Sequence, residues 1–301
     1  MIDSLKSSYI MGIKKYIKRG LTYILHGQPI EKVYAQVSYL SPTDMLKGRT
    51  ALITGGTSGI GYEIAKAFIN AGATCIITGR RQEKVDRACK SLDEETNTKG
   101  KAYGLTWDVT KVGEDPDTLQ RALGLIGDKQ IDILVNNAGV VGGEIKDCTE
   151  EKYDSILDTN LKGTFFMAQT VARYMRDNNI KGNILNVGSS SSLRPATSAY
   201  TISKWGIRGM TKGLAKILAP YVITVNGIAP GPTATPMLMP NGVKDDIAFP
   251  TNPLGRFIMP GEIANMAVFL VSNMGRSIIG DMIFMTGGSG VVTYDDVHYS
   301  F

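Results

Sequence analysis

The chain has 301 residues, 43% of them apolar and 20% charged; this composition excludes fibrous and disordered classes and supplies enough apolar surface for one large domain. Its formal charge of +5 gathers at one end, where residues 1–47 hold seven basic and three acidic groups, so the body is near neutral and a nucleic-acid-binding surface there is excluded. Three cysteines without paired spacing, and two histidines near opposite ends of the chain (His26 and His298), exclude a disulfide framework, a Ser-His-Asp triad and a histidine metal site, and make a reducing, cytoplasmic location the expectation.

The first segment, "LKSSYIMGIKKYIKRGLTYIL", repeats apolar side chains near helical spacing with Lys14, Lys15, Lys18 and Arg19 among them. A basic amphipathic arm over residues 1–47 is expected to pack on its own domain or on a neighbouring subunit, with an anionic membrane surface as the alternative. Charges interrupt the apolar run, which reads against a signal peptide. No apolar run reaches the length of a membrane-spanning helix.

From Arg49 onward, short apolar runs alternate with helical patterns, as in repeated βαβ units. Strands are predicted at Arg49–Thr54, Thr74–Gly79, Ala102–Trp107, Ile131–Val135, Gly182–Val187, Val222–Gly227 and Met282–Met285. Helices are predicted at Ile60–Ala71, Gln82–Thr96, Asp117–Ile126, Glu150–Arg176, Ala199–Leu218 and Gly261–Val271. The pattern predicts an α/β fold: one doubly wound, Rossmann-type domain over residues 48–288, with a seven-stranded, mostly parallel sheet and helices on both faces.

The first strand runs into its helix through "TGGTSGIG". Glycines let the backbone approach a pyrophosphate, and the N–H groups at the helix start favour its charge. Gly55, Thr57, Ser58, Gly59, Ile60 and Gly61 are therefore candidate dinucleotide-binding residues, although the spacing differs from the commoner fingerprint. At the end of the second strand, "TGRRQ" has Gly79 where an acid would suit an NAD ribose, followed by Arg80 and Arg81. Two arginines suit an extra phosphate, so NADP(H) is preferred and NAD(H) is second. Asp108 and Val109 in "WDVT", and Asn137, Ala138 and Gly139 in "NNAG", follow the third and fourth strands and belong to the same cleft.

In "SAYTISKWG", Tyr200 and Lys204 lie four residues apart on a predicted helix, hence on one face. A nearby ammonium favours the phenolate, and a cofactor's positive charge is the expected second contributor to lowering the tyrosine pKa from its usual value of about 10.

Taken in order, TGGTSGIG, NNAG, Asn160 in "DTNLKG", Ser189 in "NVGS", YTISK and "APGPTAT" resemble the short-chain dehydrogenase/reductase family over about residues 47–290. The resemblance implies a catalytic set of Asn160, Ser189, Tyr200 and Lys204 acting on a ketone or secondary alcohol. Tyr200 would be the general acid/base, Ser189 would hold the reacting oxygen, Lys204 the nicotinamide ribose, and Asn160 a relay water. It also places Pro230, Gly231, Thr233 and Thr235 beside the cofactor. The family commonly sets its serine slightly farther from the tyrosine, and the run Ser189 to Ser192 leaves the register open, with Ser190 as the second choice.

Residues 230–253 break the alternation with a proline-rich stretch read as a substrate lid. The tail after Gly288 is expected at an interface of a homo-oligomer, a tetramer or dimer. Thr286 replaces the family's usual acid before the final glycine pair, and Ile180 and Tyr221 stand where carrier-protein reductases have basic residues, which weighs against a carrier-bound acyl substrate. A non-catalytic redox sensor or scaffold is the alternative function.

Overall fold

The computed structural model describes residues 44–239 and 246–293. The amphipathic arm lies outside the described residues but for residues 44–47, as do the aromatic residues of the tail and part of the lid. Seven strands form one sheet: β1 (Thr50–Ile53), β2 (Thr74–Gly79), β3 (Ala102–Thr106), β4 (Ile133–Asn136), β5 (Asn183–Val187), β6 (Thr224–Pro230) and β7 (Met282–Met285). Their order is β3-β2-β1-β4-β5-β6-β7. Every pairing is parallel, so the sheet is wholly rather than mostly parallel. Between the strands run α1 (Gly59–Asn70), α2 (Gln82–Glu95), α3 (Asp115–Ile126), α4 (Glu150–Leu157), α5 (Gly163–Asp177), α6 (Ala199–Leu218) and α7 (Pro260–Val271). Among the described residues no helix is long and apolar enough to cross a membrane.

The alternation of side chains along each strand builds two cores at once. Leu52, Ile76, Leu134, Ile184 and Val225 stand in register across five strands and face α3 and α5. Their neighbours Ile53, Ile77, Val135 and Leu185 point the other way, into the core under α1 and α7. Because β1 is flanked by β2 and β4, the chain reverses its winding there, and a crevice opens at the carboxyl ends of these strands.

Two expected boundaries move for visible reasons. Strand β6 starts after the predicted Val222, because Val222 sits in a left-handed turn at φ 58° closing the short helix Ala219–Tyr221. The single helix expected over Glu150–Arg176 is broken by a π-turn, Asp158–Lys162, between α4 and α5. Such a turn inserts a residue and rotates the helix beyond it. It brings Gly163 against Val109, where an added Cβ would lie 2.7 Å from the Val109 carbonyl oxygen.

The limb following the lid is tied to α7 by Arg256. Its Nη1 and Nη2 donate to both oxygens of Glu262 at 2.9 Å, and Glu262 also caps Met259 N. The hydrogen bonds from Arg256 hold the Glu262 carboxyl below the usual range. Glu262→Gln is expected to lower stability by about 1–2 kcal/mol in denaturant titrations at neutral pH. The wild-type contribution is complete above the unfolded glutamate pKa, about 4.3, and is lost as pH falls through the lower folded value. The difference between wild type and variant should therefore shrink with acidification.

Candidate functional site

A cavity of about 690 Å³ occupies the crevice. The glycine turn, the ends of β2 and β3, NNAG and the turn after β6 form one half of it. Gly55, Thr57, Ser58, Gly59, Ile60, Arg80, Asp108, Val109, Asn137, Ala138, Gly139, Pro230, Gly231, Thr233 and Thr235 all line it. Gly61 and Arg81 do not. Gly61 is needed for packing, since a Cβ there would collide with the Asn137 amide. Arg81 is exposed and takes the extended conformation that precedes α2. Gly79 has no room for the acid that an NAD ribose would want, because its Cβ would lie 2.8 Å from Thr57 Cγ2.

Several hydrogen bonds fix the walls. Thr54 Oγ1 accepts from the N–H groups of Asn137 and Ala138 at 3.0 and 3.1 Å, locking NNAG to the end of β1. Asn137 Nδ2 donates back to the carbonyls of Thr54 and Gly55. Asp108 Oδ1 accepts from Thr110 N and Oγ1, which holds the loop after β3 in a tight turn. The floor beside Gly139 stays open because it lacks a Cβ, which would approach Asn160 Oδ1 to 3.4 Å and Lys204 Nζ to 3.8 Å. A backbone cradle at a helix start and a buried lysine beneath Gly139 fit a nicotinamide dinucleotide.

At the centre lie Ser189, Tyr200 and Lys204. Ser198 caps α6, its hydroxyl accepting from Thr201 N at 3.1 Å, and so sets the first turn that carries Tyr200. Ser189 lies close enough to Tyr200 to lower its pKa, while Ser189 Oγ donates to Ser191 Oγ and accepts from Ser191 N, both at 3.1 Å. Ser190 also lines the cavity, but Ser189 is the one that bears on the tyrosine, whose pKa it lowers. Lys204 is buried, donates to Val187 O at 2.9 Å, and stands 5.6 Å from the Tyr200 ring centroid. Burial lowers its pKa to about 8.

Two features bear on the roles expected of Tyr200 and Asn160. Burial raises the Tyr200 pKa above its ordinary value, opposed only by Ser189. Lys204 does not offset this, because its ammonium is turned to a carbonyl. Asn160, in the π-turn, is 1% exposed and lies outside the cavity lining. Its Nδ2 donates to Val140 O and Ser203 Oγ, and its Oδ1 accepts from Val140 N at 2.8 Å. Both amide N–H groups are thus engaged, one clamping the residue after NNAG and the other bonded to Ser203 on α6.

The lysine makes a pH prediction. In the cofactor-free protein Lys204 sheds its proton near pH 8, whereas an unfolded lysine does so near about 10.4. Between those values the unfolded chain binds more protons, so this group makes stability rise with pH. Denaturant titrations from pH 8 to 10 should show that rise in wild type and a flatter profile in Lys204→Met.

Sequence reading does not single out Glu144, Ser191, Arg194 or Thr197, which also line the cavity. No spacing marks them, because the wall they share is assembled from loops.

A family model described as "short chain dehydrogenase" matches residues 49–246. A 3alpha-hydroxysteroid dehydrogenase of Mediterraneibacter gnavus is 36% identical over 254 residues, covering 81% of this chain and 98% of that protein. Among solved structures, a 3-ketoacyl-(acyl-carrier-protein) reductase from Brucella melitensis complexed with NADH is similar with TM-score 0.72 and 30% identity, over 81% of this chain and 98% of that one. An actinorhodin polyketide ketoreductase with NADPH is similar with TM-score 0.73 and 30% identity, over 80% and 97%.

Proposed function

The chain belongs to the short-chain dehydrogenase/reductase family, enzymes acting on a CH–OH or keto group with a nicotinamide dinucleotide, and from that premise we propose that it interconverts a ketone and a secondary alcohol with NADP(H). The observation that carries this reading is the meeting of Ser189, Tyr200 and Lys204 in one cavity with the glycine turn and Arg80. When bound, the cofactor supplies or accepts the hydride. Tyr200 donates its proton to the carbonyl oxygen in reduction and takes the alcohol proton in oxidation. Ser189 hydrogen-bonds the same oxygen as charge develops on it. Lys204 holds the ribose from the floor beside Gly139, and Asn160 keeps that floor in place through Val140.

NADP(H) is preferred because Arg80 lines the cavity at the end of β2 and Gly79 excludes an acid. Residues 230–253 act as a lid over the substrate end, supported by Met237 and Leu238, which are half-exposed at its mouth. A homo-oligomer suits the exposed Phe165, Ile202 and Trp205 on α5 and α6, and three free cysteines suit a reducing, cytoplasmic setting. Loss of NADPH absorbance with a panel of ketones tests the function. Turnover of at least one ketone is expected, and inertness across the panel in both directions would contradict it.

A further inference from the structure

The first N–H groups of an α-helix find no acceptor within the helix itself. In α6, which carries Tyr200 in its first turn, the groups at Ala199, Tyr200 and Thr201 all have partners. Thr201 N donates to the capping Ser198 Oγ at 3.1 Å. Ala199 N and Tyr200 N leave the helix altogether and donate to the carbonyls of Gly143 and Gly142, at 2.9 and 3.4 Å. Glu144 forms an antiparallel bridge with Ser198, and Ile145 N donates to Thr197 O at 3.0 Å, so residues 142–145 lie along the entry to α6.

Glycine is needed in this segment. Gly142 and Gly143 have φ angles of 109° and 74°, which strain a residue with a side chain. A Cβ on Gly143 would also stand 2.8 Å from Ile156 Cδ1 on α4 and 3.0 Å from Ala199 Cβ. Neither glycine lines the cavity, although Val141 and Glu144 on either side of them do. The segment is tied at its start as well. Asn160 clamps Val140 and donates to Ser203 Oγ, which donates in turn to Tyr200 O at 2.6 Å. The chain leaving NNAG is therefore joined to the first turn of α6 by two separate sets of hydrogen bonds.

Resting on the oxidoreductase reading above, we propose that Gly142 and Gly143 are positioning residues for the reaction, their carbonyls capping α6 from outside and so setting where the Tyr200 hydroxyl meets the reacting oxygen.

The test measures kcat, KM and NADPH Kd for wild type, Gly143→Ala, Ala199→Pro and Gly209→Ala. Proline suits the first residue of a helix but removes the N–H that Gly143 accepts, so Ala199→Pro breaks the same contact should Gly143→Ala fail to fold. Each of these two variants should lower kcat by about 10- to 100-fold, the effect of a reacting group misplaced by about an ångström, with cofactor Kd nearly unchanged. Gly209→Ala, on α6 with open space around it, should match wild type. In a Tyr200→Phe background Gly143→Ala should cost little more, because the two changes act through one hydroxyl. A normal kcat in either variant overturns the proposal. So does a loss shared equally with cofactor affinity, or one that persists in full beside Tyr200→Phe, the pattern of a merely structural glycine. Amide hydrogen exchange of the wild type gives a readout independent of turnover: Ala199 and Tyr200 should be protected, and Tyr200 should lose protection in Gly143→Ala. Free exchange at both in wild type overturns the proposal, whereas protection in a protein that reduces no ketone leaves the cap standing and defeats the oxidoreductase reading.

Discussion

Tyr200→Phe is expected to slow ketone reduction by about 10²- to 10⁴-fold or more, the usual contribution of a positioned acid, while leaving cofactor affinity almost unchanged. The substitution removes one oxygen from a partly buried ring at the first turn of α6, which Ser198 caps independently. The fold therefore has no reason to fail. What disappears is the phenolic proton donor that shares the cavity with Ser189. Single-turnover rates at saturating NADPH, with cofactor Kd measured by fluorescence, check both halves of the expectation. A nearly normal rate would remove Tyr200 from the mechanism, and a parallel loss of cofactor binding would make its role structural.

Arg80→Ala is expected to lower kcat/KM with NADPH by roughly 10- to 100-fold and to leave NADH almost untouched. A hydrogen bond to a charged group contributes about 1.5–3 kcal/mol, and only the 2′-phosphate distinguishes the two cofactors at this point. Arg80 lines the cavity whereas Arg81 precedes α2 outside it, so Arg81→Ala is the matched control and should change neither constant greatly. Equal losses with both cofactors would show that Arg80 reads the shared part of the dinucleotide.

Legibility in the sequence tracks the range of the interactions. The short apolar run in "TCIITG" and the cap before "AYTISKWG" are local, and β2 and α6 match their expected spans residue for residue. The π-turn at Asp158–Lys162 is not local in cause: it answers the approach of Gly163 to Val109 on another loop, so no pattern within "ILDTNLKG" announces it. The glycine turn, NNAG and the tyrosine–lysine pair are readable because each chemistry needs particular residue types at short spacing. Arg194 is not, because only the folding of α6 and the Gly290 turn around it makes a surface-loving residue part of a wall. The tyrosine's pKa departs from expectation for the same reason: spacing brings Lys204 near it, but the direction of the ammonium toward Val187 O depends on β5.

The central claim is that this chain moves hydride between a nicotinamide dinucleotide and a carbonyl carbon. Deuterium-labelled NADPH incubated with wild-type protein and an accepted ketone, followed by mass spectrometry of the alcohol, tests it most directly. One deuterium on the former carbonyl carbon, absent with Tyr200→Phe over the same interval, is the predicted result. Unlabelled alcohol, or labelled alcohol formed equally by the variant, would contradict the account.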